Sequence, residues 1–243
     1  MITLATLTAM IGASRHDPMF FGNLYEFRAI AINLLALAHC WYYRGRWDTL
    51  KIFGIGMLYG LVLENGGPME VPDLGFEGYF WEENYKLYLF EFFGYGHRFS
   101  LVPIATHLGW SMVFYTAVLF WEQICKAWPK LKEHVFLSAL VITSSGLLFD
   151  LPFDILATRF HWWVWNERFL NVWFGVPLVN YLAWFWAVGT FGWFWVWFHN
   201  KEGWDDKKIA FYLFLCMPWF WVIDGLGFNT TKFLADLAGW IYL

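Results

Sequence analysis

Four carboxylic side chains in this sequence stand at or near the ends of long apolar stretches, where an ionised carboxylate is costly. Glu64 ends one stretch, Asp150 and Asp154 end another, and Asp224 lies near the end of the last. A buried carboxyl either pairs with another group or keeps its proton, and a carboxylic acid that is neutral at pH 7 can act as a general acid. Asp150 and Asp154 are four residues apart and would share one face of a helix. The pattern indicates acid chemistry inside an apolar bundle, although each residue alone could instead cap a helix or face water.

Six apolar stretches are available to position these groups. They run over Ala29–Tyr43, Ile52–Leu63, Phe99–Trp121, Val135–Phe149, Val172–Phe198 and Ile209–Phe228. A helix needs about 20 residues to cross about 30 Å of hydrocarbon. The third, fifth and sixth stretches reach that length, and the others do so only if their polar ends enter the protein interior. We therefore predict an all-α fold, a polytopic integral membrane helical bundle of six transmembrane helices. Residues 1–14 are a candidate seventh helix or an interfacial segment.

Composition supports a membrane protein. The 243 residues are 59% hydrophobic and 15% charged, whereas a soluble domain carries about 25% charged residues. This length suits a single transmembrane domain over residues 1–243. The net charge of −4 argues against a nucleic-acid partner. Three cysteines inside or beside apolar stretches give no disulfide framework.

The basic residues predict the orientation of the chain. The short segments 44–51, 126–132 and 201–208 each contain three Lys or Arg residues, whereas the alternate segments 64–98 and 150–171 are longer and acidic. Short loops rich in Lys and Arg remain in the cytoplasm. We expect a protein of the cell inner membrane with its basic loops cytoplasmic, so that Glu64, Asp150, Asp154 and Asp224 converge on the outer half of the bundle.

Aromatic residues make up 24% of the chain, with 19 Trp, 12 Tyr and 27 Phe. Part of this content is the interfacial belt of a membrane protein. Trp163, Trp165 and Trp184 stand inside a patterned stretch, and aromatic faces stabilise cations at short range. They are candidate contacts for a substrate that passes through a cationic state.

Missing motifs narrow the chemistry further. The seven histidines form no HxxxH or HxxHH box, which weighs against a di-iron desaturase or hydroxylase. The sequence also has no Gly-rich phosphate loop, no DDxxD pair and no G-x-S-x-G elbow. A reaction that needs only acid, water and an apolar pocket is left, such as hydration or cyclisation of an isoprenoid.

A set of short segments over roughly residues 50–190 forms a recognisable signature. The segments are Asp150-Leu151-Pro152-Phe153-Asp154, Trp163-Val164-Trp165, Gly175-Val176-Pro177-Leu178-Val179-Asn180 with Trp184, and Glu64-Asn65-Gly66-Gly67. Together they resemble the carotenoid hydratases (carotenoid biosynthesis proteins) of bacteria and archaea. These membrane enzymes add water to the end double bond of an acyclic carotenoid, and they are distantly similar to the membrane-bound lycopene cyclases.

The resemblance implies a role for each residue. A protonated Asp150 or Asp154 would give its proton to the terminal alkene, and tryptophan faces would stabilise the resulting tertiary carbocation. Glu64 would deprotonate the attacking water, and Asn180 would hold that water or a carboxylate. The expected catalytic residues are Asp150, Asp154, Glu64 and Asn180, and the expected substrate-binding residues are Trp163, Trp165, Trp184 and Tyr79. No metal or other cofactor is needed.

Two alternatives remain open at this point. The chain could be a non-catalytic subunit of a larger membrane complex, with its aromatic runs in contact with pigment, lipid or partner helices. It could also be an isoprenoid cyclase, which shares the acid chemistry but must exclude water from the cation. The expected partners are membrane lipid and a carotenoid or other isoprenoid substrate, with partner membrane subunits in the first alternative.

Overall fold

The described part of the chain is mostly helical. A computed structural model describes residues 18–66, 79–81, 104–159, 163–165 and 169–242. The helices are α1 (Pro18–Thr49), α2 (Ile55–Gly66), α3 (Ile104–Ala127), α4 (Val135–Arg159), α5 (Leu178–His199), α6 (Asp206–Leu215) and α7 (Met217–Leu237). Each predicted apolar stretch overlaps one or two of them. The all-α prediction is confirmed for these residues, whereas residues 1–14 lie outside them.

Two small antiparallel sheets accompany the helices and were not predicted. Strand β1 (Tyr79–Trp81) pairs with β2 (Trp163–Trp165), and β3 (Asn171–Trp173) pairs with β4 (Val176–Pro177). The second sheet replaces the start of the fifth predicted span, which was expected to be helical from Val172. The turn of this hairpin has positive φ angles at Phe174 (46°) and Gly175 (93°), so no helix can run through it. Helix α5 therefore begins only at Leu178.

A kink and a π-helical segment connect the first two predicted spans. Gly45 interrupts α1 with φ 80° and ψ 178°, a conformation that glycine adopts readily because it has no Cβ. A π-helical segment, Leu50–Gly54, then leads into α2. Lys51 was expected in a cytoplasmic loop, but it lies in this π segment and is fully buried. Its partners, described below, explain how the charge is tolerated.

The sixth predicted span is broken. Helices α6 and α7 meet at an angle of 53°, with Cys216 between them and Pro218 in the first turn of α7. Proline lacks the N–H group that a continuous helix would use, and it is well tolerated where a helix starts. One long helix over Ile209–Phe228 is therefore wrong, and two shorter helices cover this stretch.

Glycines set how closely the helices pack. A Cβ on Gly56 of α2 would lie 2.5 Å from the Cα of Ser111 on α3, and one on Gly146 of α4 would lie 2.7 Å from a methyl group of Val188 on α5. Small residues of this kind let helix backbones approach one another. The tight α4–α5 contact is the one that carries the candidate site.

The membrane prediction is supported only in part. Among the described residues, α4 is long and apolar enough to cross a membrane, and α6 with α7 forms a second such segment if the bent pair is one span. One third of the most apolar window of α4 is buried, and Leu148 on this helix is 60% exposed. These findings allow one or two membrane-crossing segments by length and composition.

We expect Gly56→Ala to destabilise the fold by about 1–3 kcal/mol, because the new methyl group would collide with backbone atoms of Ser111. Thermal unfolding in detergent measures this change. Gly109→Ala on α3 is the matched control, since a Cβ there meets nothing within 4 Å. Equal melting temperatures for the two variants would contradict the close α2–α3 contact.

Candidate functional site

Two buried carboxyl groups and one amide form the centre of the candidate site. Asp150 and Asp154 lie one turn apart on α4 and are 0% and 3% exposed, and Asn180 on α5 is 7% exposed. The Nδ2 group of Asn180 donates a 2.9 Å hydrogen bond to Oδ2 of Asp150 and a shorter one to Oδ2 of Asp154. One amide therefore binds two carboxyl groups. This arrangement joins three of the four residues that the sequence proposed as catalytic.

Local sequence explains why these side chains meet. Asp150 and Asp154 share a helical face because they are four residues apart. Pro152 lies between them on the exposed side of α4, where its missing N–H leaves a gap in the helical hydrogen bonds. Asn180 is the third residue of α5, and the β3–β4 turn with extended Pro177 fixes where that helix begins. The hairpin thus sets the position of the amide.

Aromatic rings border this acid pair. Trp184 lies one turn after Asn180 on α5, and its ring centre is 4.7 Å from that of Trp110 and 6.4 Å from that of Phe149. Tyr181 is near enough to interact electrostatically with both aspartates. Trp184, one of the predicted substrate-binding residues, therefore lies among the aromatic rings next to the acid pair.

The other predicted substrate-binding residues belong to the β1–β2 sheet. Tyr79 pairs directly with Trp165, and Trp81 pairs with Trp163. Strand β2 packs against α4. Sequence reasoning selected Tyr79, Trp163 and Trp165 separately and gave no sign that a sheet joins them. The side chains of Tyr79 and Trp163 lie outside the described residues, as does that of Glu64, whose backbone is in the last turn of α2.

A second polar cluster surrounds Lys51 and was not predicted. Its Nζ atom is 2.6 Å from Oδ1 of Asp48, 2.9 Å from Oδ1 of Asp206 and 2.9 Å from Nε2 of His199. Arg44 extends the network, since it pairs with Asp48 at 2.8 Å and with Glu122 at 2.5 Å. A lysine inside the apolar run Leu50-Lys51-Ile52-Phe53 was the signal that could have revealed this cluster.

Three residues of the Lys51 cluster are of types that can bind a metal ion. Candidate ligand atoms of Asp48, His199 and Asp206 all lie within 4.8 Å of one another. The Lys51 ammonium is within hydrogen-bond distance of all three residues, so a fixed positive charge already lies between the two carboxylates. The residues thus form a charge network that joins the π segment to α5 and α6.

His199, one residue beyond the predicted fifth span, is held in its neutral form. Burial and then the charge of Lys51 lower its pKa from 6.5 to about 4. Neutral imidazole has one acceptor and one donor nitrogen. Nε2 can therefore accept from Lys51, while Nδ1 donates to the backbone carbonyl of Trp195 at 2.7 Å.

Comparisons of this chain with protein-family models, with curated proteins and with solved structures give no match. A functional assignment therefore has to be argued from the chemistry of the site.

We expect Lys51→Met to lower the free energy of unfolding by about 3–5 kcal/mol, because it would leave the carboxylates around it without their buried cation. Equilibrium unfolding in detergent measures the loss. Lys130→Met, at an exposed position, is the control and should have little effect. A Lys51 variant as stable as this control would show that the network does not support the fold.

We expect stability to fall as the pH drops from about 6.5 to 4, because His199 binds a proton in this range only after unfolding. The folded state has the lower pKa, so its stabilisation is present above pH 6.5 and is lost on acidification. Melting curves across this range should show a smaller acid-dependent loss in His199→Gln, which keeps an acceptor for Lys51. Identical slopes in the two proteins would contradict the assignment.

Proposed function

We propose that this chain is a membrane enzyme that adds water to the terminal double bond of an acyclic carotenoid or a related isoprenoid. The observation that carries the proposal is the pair of buried carboxyl groups, Asp150 and Asp154, bound to the single amide of Asn180. This pair offers an acid inside an apolar, aromatic environment, which is what protonation of an alkene requires.

The proposal includes a six-helix transmembrane bundle in the cell inner membrane with its basic loops in the cytoplasm. Apolar side chains that face outward support it: Leu35 on α1, Leu148 on α4 and Leu226 on α7 are 71%, 60% and 67% exposed. Large apolar surfaces of this kind mark contact with a membrane or with partner proteins. A hydrocarbon substrate would reach the site from the same lipid phase.

The proton needed for the first step comes from the acid pair. Two ionised carboxyl groups on one neutral amide would repel each other, which favours a state in which one of them keeps its proton. That proton moves to the terminal alkene, whose π electrons form the new C–H bond and leave a tertiary carbocation. The oxygen of water then forms the C–O bond, and Glu64 takes the released proton. The product gains one H and one OH, and proton exchange with water restores both carboxyl groups.

The aromatic wall stabilises the carbocation in this scheme. Trp184 lies next to the acid pair, and its ring centre is 4.7 Å from that of Trp110, with the two rings tilted by 32°. Attraction between a cation and an aromatic face is worth about 0.5–2 kcal/mol. Tyr79, Trp163 and Trp165, which meet on the β1–β2 sheet, would contact the rest of the polyene.

In this scheme Asn180 both forms hydrogen bonds to the two carboxyl groups and holds them in position. Its two N–H groups can hold both carboxyl groups in place, and its neutral amide adds no charge that would fix both of them as anions. A lysine at this position would stabilise both carboxyl groups as anions and so disfavour the retained proton. The pairing of two acids with an amide is therefore suited to proton donation.

The test is expression in a host that accumulates lycopene, followed by mass analysis of the pigments. We expect a more polar product, heavier by one or two waters, from the unmodified protein. Asp150→Asn/Asp154→Asn should lower its formation at least about 100-fold, because the general acid is lost. Asp236→Asn on the exposed side of α7 is the matched control and should keep full activity.

Each other outcome of this experiment has a definite meaning. Unaltered lycopene from well-folded protein would refute the proposal and favour the complex-subunit alternative. A product of unchanged mass with a shifted absorption spectrum would show cyclisation instead of hydration. Full activity in the double variant would remove the acid pair from the mechanism.

A further inference from the structure

Three basic segments of the chain meet at one end of the helical bundle, the basic end. They are residues 44–51, 126–132 and 201–208. Lys51 of the first segment pairs with Asp206 of the third at 2.9 Å. Beside the third segment, Nδ2 of Asn200 donates a 2.6 Å hydrogen bond to the backbone carbonyl of Lys132 in the second. These two contacts hold the three segments together, although helices separate them in sequence.

The basic end has a net positive charge. It contains nine Lys or Arg residues and six Asp or Glu residues, counted over 44–51, 122–133 and 201–208. The rest of the chain contains seven and fourteen. Lys51 and Arg44 pair with three of the six acids. The other seven basic residues outnumber the three remaining acids, and all seven are exposed or half-buried, so this end presents positive charge to its surroundings.

Indole rings lie directly beneath two of these cations. Nζ of Lys201 is 4.6 Å from the ring centre of Trp197, and Nζ of Lys208 is 4.6 Å from that of Trp204. Trp197 is itself 39% exposed. Tryptophan rings and long lysine side chains occur together at the level of lipid headgroups, because each combines an apolar body with a polar tip. The pairs are therefore typical of a membrane interface.

Exposed apolar side chains continue from the lysines toward the middle of the bundle. Phe136 on α4, Trp193 on α5 and Phe211 on α6 are 60%, 43% and 61% exposed. Each lies within about two helical turns of a lysine of the basic end. A nucleic acid or an acidic soluble protein would pair with the cations and leave this apolar surface in water. A phospholipid layer covers both, since its phosphates lie directly above its acyl chains.

We infer that the basic end is a binding surface for anionic phospholipids. The headgroup phosphates pair with the lysines through charge-assisted hydrogen bonds, and the acyl chains cover the apolar side chains beside them. Clusters of about four to eight basic residues beside an apolar segment are attracted to anionic membrane surfaces in this way. The inference rests on the membrane location in the proposed function and on none of the proposed catalytic residues.

The test compares melting of the detergent-solubilised protein in micelles that contain either dioleoylphosphatidylglycerol or dioleoylphosphatidylcholine. The acyl chains are identical, so a difference reports on the headgroup. We expect melting roughly 4 °C higher with the anionic lipid. Lys201→Gln/Lys208→Gln should lose about half of this difference. Lys201→Arg/Lys208→Arg should keep it, because arginine retains the charge and also stacks on indole rings.

Lys232→Gln is the matched control. Lys232 also lies over an aromatic ring, with Nζ 5.4 Å from the ring centre of Tyr242. It is away from the basic end, because the neighbouring Thr231 accepts a hydrogen bond from Trp186 in the first half of α5, whereas the basic end lies beyond the last turn of that helix. The control should therefore keep the full difference between the two lipids.

Three outcomes would overturn the inference: equal melting in the two lipids, an equal rise with inorganic phosphate alone, or a Lys201→Gln/Lys208→Gln variant that keeps the full difference. A chain that is soluble without detergent would overturn it together with the membrane location. Absence of lycopene hydration with the lipid preference intact would refute the hydratase alone, so the two proposals can fail separately.

Discussion

An apolar interior makes unbonded polar groups unfavourable, and this constraint accounts for the main polar contacts of the described residues. An unpaired polar or charged group in such surroundings is unfavourable by several kcal/mol. Buried charged and polar side chains find partners in two different ways in this structure. Lys51 lies among two carboxylates and a neutral imidazole, so the buried cation is paired with opposite charge. Asp150 and Asp154 both accept hydrogen bonds from the amide of Asn180, a contact that joins two carboxyl groups and adds no charge of its own. The first arrangement joins the π segment to α5 and α6, and the second brings two carboxyl groups of α4 onto one side chain of α5.

Close helix packing makes the second arrangement possible. Asn180 reaches both aspartates because α4 and α5 approach tightly along their length, with Gly146 against Val188 and Gly192 against Ile142. A larger residue at either glycine would separate the two backbones and lengthen the bonds to the amide. The site therefore depends on residues that take no part in its chemistry.

Much of the helical framework could be predicted from hydrophobic stretches, and so could the buried carboxyl groups that end them. The helical spacing of Asp150 and Asp154 predicts a shared face, and the structure shows both carboxyl groups directed to α5. The breaks in the elements were harder to predict. Gly45, Pro218 and the Phe174–Gly175 turn are local backbone features that an average over an apolar stretch conceals. The Lys51 network and the β1–β2 pairing join residues far apart in sequence, and no local pattern encodes such contacts.

The π segment that contains Lys51 has a consequence for how this chain can vary. A π turn holds one more residue than an α turn, so Leu50–Gly54 behaves as a one-residue insertion absorbed within a helix. Deleting one residue there would restore regular α geometry and leave the helical residues on either side in place, because no extra residue would remain to be absorbed. Only the residues of the segment itself would change direction, and Lys51 is one of them, so its ammonium would turn away from Asp48, His199 and Asp206. Homologous chains that differ in length by one residue at this point would therefore have lost or gained the charge network as a unit.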